Sequence, residues 1–472
     1  MAPPYRLAIH WHRRDLRISD NTALYHAAAA SAEVVPVYVL SDWKKSHVWT
    51  GEKRQNFLCR CLESLGKDLE SIGGRLIFRS GSAEEALENL AKETGADAIF
   101  YNRDPDPFGC EAEKRIEAMA ARLGIACHGH HDVTLHGPDE VLTKDGKPYK
   151  VYTPYSRNWL SLEKPGPKAK PRALHTPASI ASLKLPTNAY WKLTDPKADL
   201  VEAGEKAAHQ RLKTAISKRL ADYGETRDIP SLPGTSRLSQ DLRFGLLSPR
   251  TIYAETAKAM AKTKSAAARS GMEKFIKELA WREFYMALLW HFPNVLREEF
   301  NPDWRGLWWA EPGEDFEAWK QGRTGFPIVD AGIRELLATG FMHNRVRMIT
   351  AMFLTKDLHI DWRLGEQFFM QHLIDGEIAS NNGGWQWSAG TGADAAPYFR
   401  IQNPWSQAKR YDPDGIYTKR WVPELAKVPA EKLLAPPKDG QPIAPGYPLP
   451  CVDHSAERDR TLAIFKKHRR HR

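Results

Sequence analysis

The fold is decided near the start of the chain by RLAIHWH (residues 6–12), NTALYHAAAA (21–30) and VVPVYVL (34–40). The first and third runs are short, apolar and rich in β-branched residues, as buried strands are, whereas the alanine-rich run between them suits a helix. A strand, a helix and a second strand at this spacing predict a βαβ unit with parallel strands.

The same alternation continues through RLIFRS (75–80), DAIFYN (97–102) and IACHGH (125–130), with helical patterns between these runs. It predicts a doubly wound, Rossmann-like parallel sheet with helices on both faces. Such sheets bind ligands beyond the carboxyl ends of their strands. The turn after the first strand has no GxGxxG pattern, so a dinucleotide site there is not supported.

Beyond Asp132 the pattern changes. TKDGKPYKVY (143–152) contains an Asp-Gly turn and predicts a hairpin, and residues 161–191 are rich in Pro, Lys and Ser, as extended linkers are. From about Gly204 nearly every periodic segment is helical. We therefore expect an α/β plus all-α protein with an α/β domain over 1–132, a hairpin and linker over 133–203, a helical domain over 204–465 and a basic tail over 466–472.

Composition excludes several classes of protein. No apolar run approaches the ~18 residues of a membrane span, and the N-terminus does not resemble a signal peptide. The chain has five cysteines, none of them in a CxxC pair, which favours a reducing cytoplasm. The net charge of +10 permits a nucleic-acid partner, but half of that excess lies in KKHRRHR (466–472), which is typical of a solvated, disordered tail.

Two helical segments carry polar and aromatic side chains of the kinds that bind ligands or take part in catalysis. In KELAWREFYMALLW (277–290), an acid, an indole, a guanidinium and a phenol recur at i, i+3, i+4 and i+7. An exposed ion pair beside partly buried aromatics is the ordinary interpretation of that face. GFMHNRVRMITAMF (340–353) adds an amide and a thioether, and together the two segments would suit a flat, hydrogen-bonding heterocycle. GTSRLS (234–239) offers hydroxyls and backbone N–H groups to a phosphate, although a simple capped loop is the more frequent explanation of such a pattern.

Two other patterns are weaker. HGHHD (128–132) looks like a metal site, but its histidines alternate at a strand end and cannot all face one ion, so we expect no metal. DPDPFG (104–109) carries two aspartates, yet its prolines predict a turn before a carboxylate pair.

Taken together, the motifs resemble those of the photolyase/cryptochrome flavoproteins, from about residue 5 to about residue 425. The closest resemblance is to class I bacterial photolyases that repair cyclobutane pyrimidine dimers. The motifs that carry it are HWHRRDLRISDNTAL, YKVYTPYSRNWL, GTSRLS, KELAWREFY, TGFPIVDAGIREL, MHNRVRMITAMFLTKDL, DWRLGEQFFMQHLIDGEIASNNGGWQW and APYFRIQNP.

The resemblance implies FAD in the helical domain and a role for each matching residue. The FAD contacts would be Tyr223, Thr235, Ser236, Arg237, Leu238, Ser239, Phe275, Asp375, Gly376 and Glu377, with Asn381 facing the central-ring nitrogen of the flavin. Trp385, Trp362 and Trp309 match a chain of tryptophans that delivers electrons to the flavin. Glu278 and Asn344 match the pair that hydrogen-bonds the dimer carbonyls, and Trp281, Trp387 and Met348 match the apolar walls of its pocket. Arg227, Arg282, Arg345, Arg400 and Gln407 match positions at or near the DNA phosphates.

The implied activity is light-driven dimer splitting by electron transfer from excited reduced FAD, on UV-damaged DNA, by a cytoplasmic monomer. Asn344, in place of a histidine pair, and Asn381, in place of an acid, favour dimer repair. Phe341 replaces a frequent tryptophan and Glu377 a usual aspartate, which puts fine affinity in doubt. The alternatives are a cryptochrome-type blue-light receptor without repair activity and a flavin electron carrier without DNA affinity.

A second, light-harvesting chromophore is also implied for the α/β domain. The DPFG turn (106–109) resembles deazaflavin-binding relatives, and Leu296 lacks the polarity expected for folate. The resemblance therefore favours 8-hydroxy-5-deazaflavin over methenyltetrahydrofolate or FMN, with an empty site as a further alternative.

Overall fold

Five parallel strands form one sheet in the order β3-β2-β1-β4-β5, as the sequence predicts. Ile9 of the central strand lies opposite Val35 on one side and Ile99 on the other. The chain order reverses at this central strand, so its carboxyl end is the topological switch point of the sheet. The computed structural model describes residues 3–438 and 440–470. The strands are β1 Tyr5–His12, β2 Ser31–Ser41, β3 Ile77–Gly81, β4 Ala98–Asn102 and β5 Ala126–His130.

The helices follow the predicted periodic segments closely. They are α1 Thr22–Ala30, α2 Glu52–Glu70, α3 Ala83–Thr94, α4 Pro107–Leu123, α5 Tyr152–Ser161, α6 Glu205–Lys218, α7 Tyr223–Thr226, α8 Ser239–Phe244, α9 Pro249–Lys262, α10 Ala266–His291, α11 Glu314–Gln321, α12 Pro327–Thr339, α13 Asn344–Met352, α14 Trp362–His372, α15 Ile378–Ala389, α16 Pro404–Tyr411, α17 Ile416–Trp421 and α18 His454–Arg470. Short 3-10 turns cover Asp42–Lys45, Asn188–Trp191, Pro293–Leu296, Pro302–Trp304, Pro423–Leu425 and Ala430–Leu433, and Phe353–Asp357 forms a π-helical turn.

Side-chain caps explain why several helices begin where they do. Asn21 accepts a hydrogen bond from the N–H of Leu24 at the start of α1, and Ser82 does the same for Glu85 in α3. Asp106 caps α4 through the N–H of Gly109. Each cap satisfies an N–H group that has no partner within its own helix.

The chain divides into two compact units. The first comprises residues 1–196, 201–221 and 236–293, and so contains the sheet together with α6, α8, α9 and α10. The apolar core between the sheet and its helices includes Ile9, Val37 and Ile99. Helices that the sequence places in the helical region thus belong with the sheet, and buried polar contacts are the physical reason. Arg250 of α9 pairs with Asp20 and Asp132, both from the α/β part.

The second unit comprises residues 197–200, 222–235 and 294–472 and is helical. Its core holds many large aromatic side chains, among them Trp319, Trp362 and Trp385. Lys356, in the π-helical turn, is buried and donates to the carbonyl of Ala389 at the end of α15. Burial lowers the pKa of Lys356 to about 7. No helix within the described ranges is both long and apolar enough to cross a membrane.

Three predicted segments differ in detail. The hairpin is reduced to a single antiparallel bridge between Leu142 and Pro148. The predicted linker is extended but hydrogen-bonds to the first unit, for example from the N–H of Leu183 to the carbonyl of Phe78, and so covers the edge strand β3. The predicted disordered tail is incorrect as far as residue 470, because α18 continues to Arg470; residues 471–472 lie outside the described ranges.

Candidate functional site

Helix α10 carries the first group of candidate residues. Four candidate side chains on this helix are half-buried, those of Glu278, Trp281, Arg282 and Tyr285. The neighbouring Phe284 is fully buried. Their i, i+3, i+4 and i+7 spacing therefore gives the common helix face that the sequence predicts. The face is neither core nor fully solvated surface, as a ligand-facing helix requires.

Trp281 is held in place by a residue that the sequence analysis did not assign. Its ring stacks on Tyr152, with centroids 3.5 Å apart and planes 8° apart. Tyr152 in turn donates its hydroxyl to the carbonyl of Lys277, one turn before Trp281. Trp281 is thus a rigid wall, with one face covered by Tyr152. The only signal in the sequence is the position of Tyr152 within the motif YKVYTPYSRNWL.

One nitrogen of the Arg282 guanidinium makes a structural hydrogen bond within the first unit. Its Nη1 donates to the carbonyl of Val133 at 2.7 Å, in the segment after β5. The next residue, Glu283, is buried and accepts hydrogen bonds from the indole of Trp159 at 2.7 Å and the N–H of Leu135 at 2.5 Å. Burial raises the pKa of Glu283. Arg282 and Glu283 therefore fix the orientation of α10, which carries Glu278 and Trp281.

The GTSRLS segment (234–239) crosses from one unit to the other. In the second unit, a Cβ at Gly234 would collide with the backbone of Thr226, so glycine lets Thr235 run close to the short helix that begins at Tyr223. In the first unit, Arg237 has a left-handed backbone with φ of 60°. Helix α8 begins two residues later, at Ser239, so the segment opens a helix as the sequence predicts.

The Asp375–Glu377 loop precedes α15 in the second unit. Asp375 is buried and accepts two hydrogen bonds from Nη2 of Arg347, at 2.8 and 3.1 Å. Glu377 caps α15 by accepting from the N–H of Ser380 at 3.0 Å. The Glu377 carboxylate therefore caps this helix.

Asn381 lies in the first turn of α15 and is oriented by α14. Its Nδ2 donates to the backbone carbonyl of Glu366 at 3.1 Å, and Asn381 Oδ1 accepts no hydrogen bond within the described part of the chain. The neighbouring Asn382 donates to Oε1 of Glu366 at 3.1 Å. Glu366 lies inside the motif DWRLGEQFF but is not among the predicted site residues.

Glu366 has an unusual ionisation state for a carboxyl. Burial raises its pKa to about 8, and the hydrogen bond from Asn382 and the charge of Arg363 offset only part of that effect. The carboxyl is consequently protonated near neutral pH. It supplies a neutral, hydrogen-bonded support behind the asparagine pair.

We expect Glu366→Gln to flatten the pH dependence of stability. Between the ordinary pKa of 4.5 and about 8, the folded chain holds a proton that the unfolded chain has released, so the free energy of unfolding falls as pH rises. Across this pH range the free energy of unfolding falls by on the order of 4–5 kcal/mol. The glutamine side chain does not titrate, so the variant shows no such fall. Denaturant titrations from about pH 5 to about pH 8 measure the slope. Equal slopes in both proteins would contradict the assignment, and Glu63→Gln on the exposed face of α2 is the matched control.

The three tryptophans assigned to electron transfer all belong to the second unit. Trp385 and Trp362 are buried in one apolar cluster, and Trp309 packs against that cluster half-buried. A parallel bridge between Ala310 and Ile360 brings the segment of Trp309 beside the start of α14, where Trp362 lies. The order from buried to half-buried suits a path from the protein interior towards solvent.

Each indole has a different polar environment. Trp362 donates its Nε1–H to Glu299 at 3.3 Å, and the guanidinium of Arg363 lies 4.5 Å from its ring centroid. Trp385 Nε1 is buried and has no hydrogen-bond partner within the described ranges. Gly365 lies directly against the ring of Trp385, where a Cβ would collide with it.

The remaining candidates of the second unit lie at the end of α7, on α13, on α15 and on α16. Asn344 is exposed at the first position of α13, and Met348 follows four residues later on the same face. Arg345 pairs with Asp228 at 2.9 Å and lies 4.6 Å from the ring of Tyr411. Trp387 is half-buried, and so are Arg227 and Gln407.

Arg400 differs from the other arginines. It is exposed and forms no ion pair among the described residues. Its neighbour Phe399 is 62% exposed, which is unusual for a large apolar side chain. The motif APYFR contains both residues, but the sequence analysis assigned only the arginine.

The two weaker sequence patterns make contacts within the fold. His130 stacks on His26 with centroids 4.6 Å apart, His128 hydrogen-bonds to Tyr5, and both imidazole rings contact Phe100. In the DPDPFG turn, Asp104 pairs with Arg14 at 2.8 Å while Asp106 caps α4. The residues from Pro107 onward form the first turn of α4, so this segment starts a helix rather than forming a separate turn.

Comparison with known proteins places these features in a family. The family model described as "FAD binding domain of DNA photolyase" matches residues 275–467, and the one described as "DNA photolyase" matches residues 8–174. The deoxyribodipyrimidine photo-lyase of Synechococcus sp. is 40% identical over 466 residues, covering 97% of this chain and 96% of that protein.

Solved structures that resemble this chain are also photolyases. A class III photolyase from Agrobacterium tumefaciens is 38% identical with a TM-score of 0.91, covering 100% of this chain and 98% of that one. An archaeal photolyase from Sulfolobus tokodaii, solved with two FAD molecules, is 30% identical with a TM-score of 0.85, covering 98% of this chain and 100% of that one. Class I membership stays a prediction, since a class III protein is among these matches. The chain belongs to the DNA photolyase family.

Proposed function

We propose that this protein is a light-driven DNA-repair lyase that splits cyclobutane pyrimidine dimers in UV-damaged DNA. One combination carries the proposal: family membership along nearly the whole chain, together with the motifs of Glu278, Asn344 and Asn381, whose resemblance to the family implies their roles. A cryptochrome-type receptor would also keep the flavin fold, but it needs neither Glu278 nor Asn344.

FAD is the cofactor of this proposal, and the local geometry fits it. Asn381 is oriented through its Nδ2, which leaves its Oδ1 as an acceptor for a flavin ring N–H. When bound and reduced, FAD supplies the electron that opens the cyclobutane ring on illumination. The residues that would hold it are Tyr223, Thr235, Ser236, Arg237, Leu238, Ser239, Phe275, Asp375, Gly376, Glu377 and Asn381.

The dimer would reach the site by leaving the DNA helix, as in other enzymes that act on bases. Stacking on an aromatic wall contributes about 1–3 kcal/mol per base, which offsets part of the unstacking cost. Trp281 is suited to this role because Tyr152 already fixes its ring plane. Trp387 and Met348 would complete the apolar walls.

Glu278 and Asn344 would stabilise the charge that develops on the dimer. Their side chains offer hydrogen-bond donors to the pyrimidine carbonyls, provided that Glu278 is protonated. Both side chains are accessible, Glu278 half-buried and Asn344 exposed. A preorganised donor of this kind acts on the charged intermediate more strongly than on the neutral substrate.

The arginines would supply affinity that does not depend on sequence. Arg400, exposed beside Phe399, has the character of a phosphate-binding residue, and Arg227, Arg282, Arg345 and Gln407 would add contacts nearby. Affinity for damaged DNA should accordingly fall as salt rises. The proposal includes action as a monomer in the cytoplasm.

The test is repair of UV-irradiated oligothymidine by the purified, reduced holoprotein under blue light. We expect dimers to revert in the light and to persist in the dark. Glu278→Ala should retain FAD but split the ring about 10- to 150-fold more slowly, because a hydrogen bond to a charged group contributes about 1.5–3 kcal/mol.

Glu273→Ala, on the exposed face of the same helix, is the control and should repair like the parent protein. If dimers persist in the light with reduced flavin bound, the receptor alternative replaces the lyase. If repair proceeds equally well without the Glu278 carboxyl, that residue has no part in ring opening.

A second chromophore is proposed for the α/β region, with 8-hydroxy-5-deazaflavin favoured. Trp43 and Phe108 are exposed, and their rings lie 13° from parallel with centroids 6.2 Å apart. Trp49 and His47 present their edges to the same Phe108 ring. An exposed aromatic cluster fits a flat chromophore, and mass spectrometry of the molecules released from the purified protein would identify it.

A further inference from the structure

Two histidines and an aspartate lie together at the carboxyl end of β1. His10 and His12 are two residues apart and so share one face of the strand, and Asp15 lies in the turn that follows. All three are at most 1% exposed. One ligand atom from each can be chosen so that all lie within 4.8 Å of one another. The cluster lies at the switch point of the sheet.

Asp15 is a buried carboxylate without a cationic side chain as partner. Its Oδ1 accepts from the backbone N–H of Arg13 at 2.7 Å, and its Oδ2 accepts from the amides of Asn21 and Asn102 at 2.9 and 2.7 Å. Within the described ranges no lysine or arginine pairs with it. Buried charges in proteins are normally paired or bound to a metal ion.

The neighbouring carboxylates are different. Asp132 pairs with Arg17 and Arg250, and Asp20 pairs with Arg250. The nearby arginines are therefore used by other carboxylates, and the charge of Asp15 is left to the two imidazoles. One lone pair of Asp15 Oδ1 remains unused after the bond from Arg13.

The imidazoles are also incompletely bonded. Neither nitrogen of His10 has a hydrogen-bond partner within the described residues, and Nε2 of His12 has none either. A buried polar atom without a partner costs about 1–3 kcal/mol, so three of them in one cluster require an explanation. A ligand that accepts lone pairs from imidazole and carboxylate would supply it.

The distance between His10 and Asp15 suits such a ligand better than a direct hydrogen bond. His10 Nε2 is 3.6 Å from Asp15 Oδ2, which is too long for a hydrogen bond. Nδ1 of His12 lies 3.2 Å from the backbone carbonyl of Asp15, to which it donates, so Nε2 is the nitrogen of His12 left for an ion. Two ligand atoms that each lie about 2.1 Å from a tetrahedral ion are about 3.4 Å apart. The amides of Asn21 and Asn102 would hold the carboxylate in place, as outer-shell groups do around metals.

We propose that His10, His12 and Asp15 bind one divalent transition-metal ion of the zinc class. Two imidazoles and one carboxylate are a common ligand set for such ions. The ion would neutralise Asp15 and fasten the turn after β1 to the central strand. In the sequence only the histidines of residues 128–131 resemble a metal site, because nothing in the pattern HWHRRD shows that Asp15 turns back onto the strand.

The test uses the untagged, FAD-loaded protein after dialysis against a chelator. Titration with Co²⁺ should give visible d–d absorption that saturates at one equivalent, and Zn²⁺ should displace it. His12→Phe and Asp15→Asn should each weaken Co²⁺ binding at least about 100-fold, since changes even in outer-shell partners cost 10–100-fold. His130→Asn is the matched control and should bind like the parent protein.

Crystals of the parent protein soaked in Zn²⁺ should show anomalous scattering at the cluster, a result that needs no variant to fold. Retained FAD and far-UV circular dichroism show whether each variant is folded. The proposal is overturned if the parent protein takes up no stoichiometric Co²⁺ or if His130→Asn is the variant that loses binding. It is also overturned if nitrogen NMR finds a protonated imidazolium beside Asp15 with no metal uptake.

Discussion

Replacing Arg250 with methionine is expected to lower the free energy of unfolding of the first unit by about 3–5 kcal/mol, because buried carboxylates then lose their shared cation. Arg250 donates through Nε to Asp20 at 2.9 Å and through Nη2 to Asp132 at 2.6 Å, and all three side chains are nearly inaccessible. Burial raises the pKa of Asp132, but the charges of Arg17 and Arg250 outweigh it and hold that pKa below its ordinary value.

Asp20 would be affected more than Asp132, because Asp132 keeps its ion pair with Arg17. Without Arg250 it keeps only neutral donors, the N–H of Lys168 and the hydroxyls of Ser248 and Thr251. Denaturant titration, combined with hydrogen exchange of the β1 amides, measures the loss within the first unit. Lys258→Met on the same helix is the control, since its exposed pair with Glu255 contributes at most about 1 kcal/mol.

Equal destabilisation by the two variants would show that the buried network contributes no more than an exposed ion pair. A double variant, Arg250→Met with Asp20→Asn, should recover part of the loss, because it removes the uncompensated charge. No recovery would mean that packing of the arginine side chain, rather than its charge, determines the effect.

This network also shows what the sequence could and could not predict. The strands were predictable because each is a short apolar run between helical patterns, and that signal is local. Nothing local indicates that Asp20 and Asp132 share a partner at residue 250. Contacts between charged residues so far apart in sequence follow from the fold, which groups α9 with the sheet in the first unit.

Part of the candidate site could likewise be predicted from the sequence, and part of it could not. The spacing of Glu278 and Trp281 already predicts a common helix face, and the structure agrees. Two supporting residues were missed. Tyr152 stacks on Trp281 from 129 residues away in the sequence, and Glu366 holds Asn381 through its backbone carbonyl. Periodicity identifies which side chains share a face, but it carries no information on what packs behind them.

Replacing Trp385 with phenylalanine is expected to abolish photoreduction of the oxidised flavin while sparing repair by protein that is reduced beforehand. A phenyl ring is far harder to oxidise than an indole, so the path through Trp362 and Trp309 would be cut at its buried end. The fold should survive, because single core substitutions of this kind cost about 0.5–3 kcal/mol. Photoreduction is measured as the change in flavin absorbance under blue light with an external reductant present. Repair is then measured with protein that was reduced beforehand.

The chain offers a close control in Trp319. It is equally buried, its ring centroid lies 6.2 Å from that of Trp385, and its Nε1–H is engaged by the carbonyl of Thr350. Trp319→Phe should therefore cost a similar amount of packing yet leave photoreduction intact. If Trp319→Phe stops photoreduction and Trp385→Phe does not, electrons take a different route through the same aromatic core. The glycine at position 365, which lets α14 contact the Trp385 ring, would then serve packing alone.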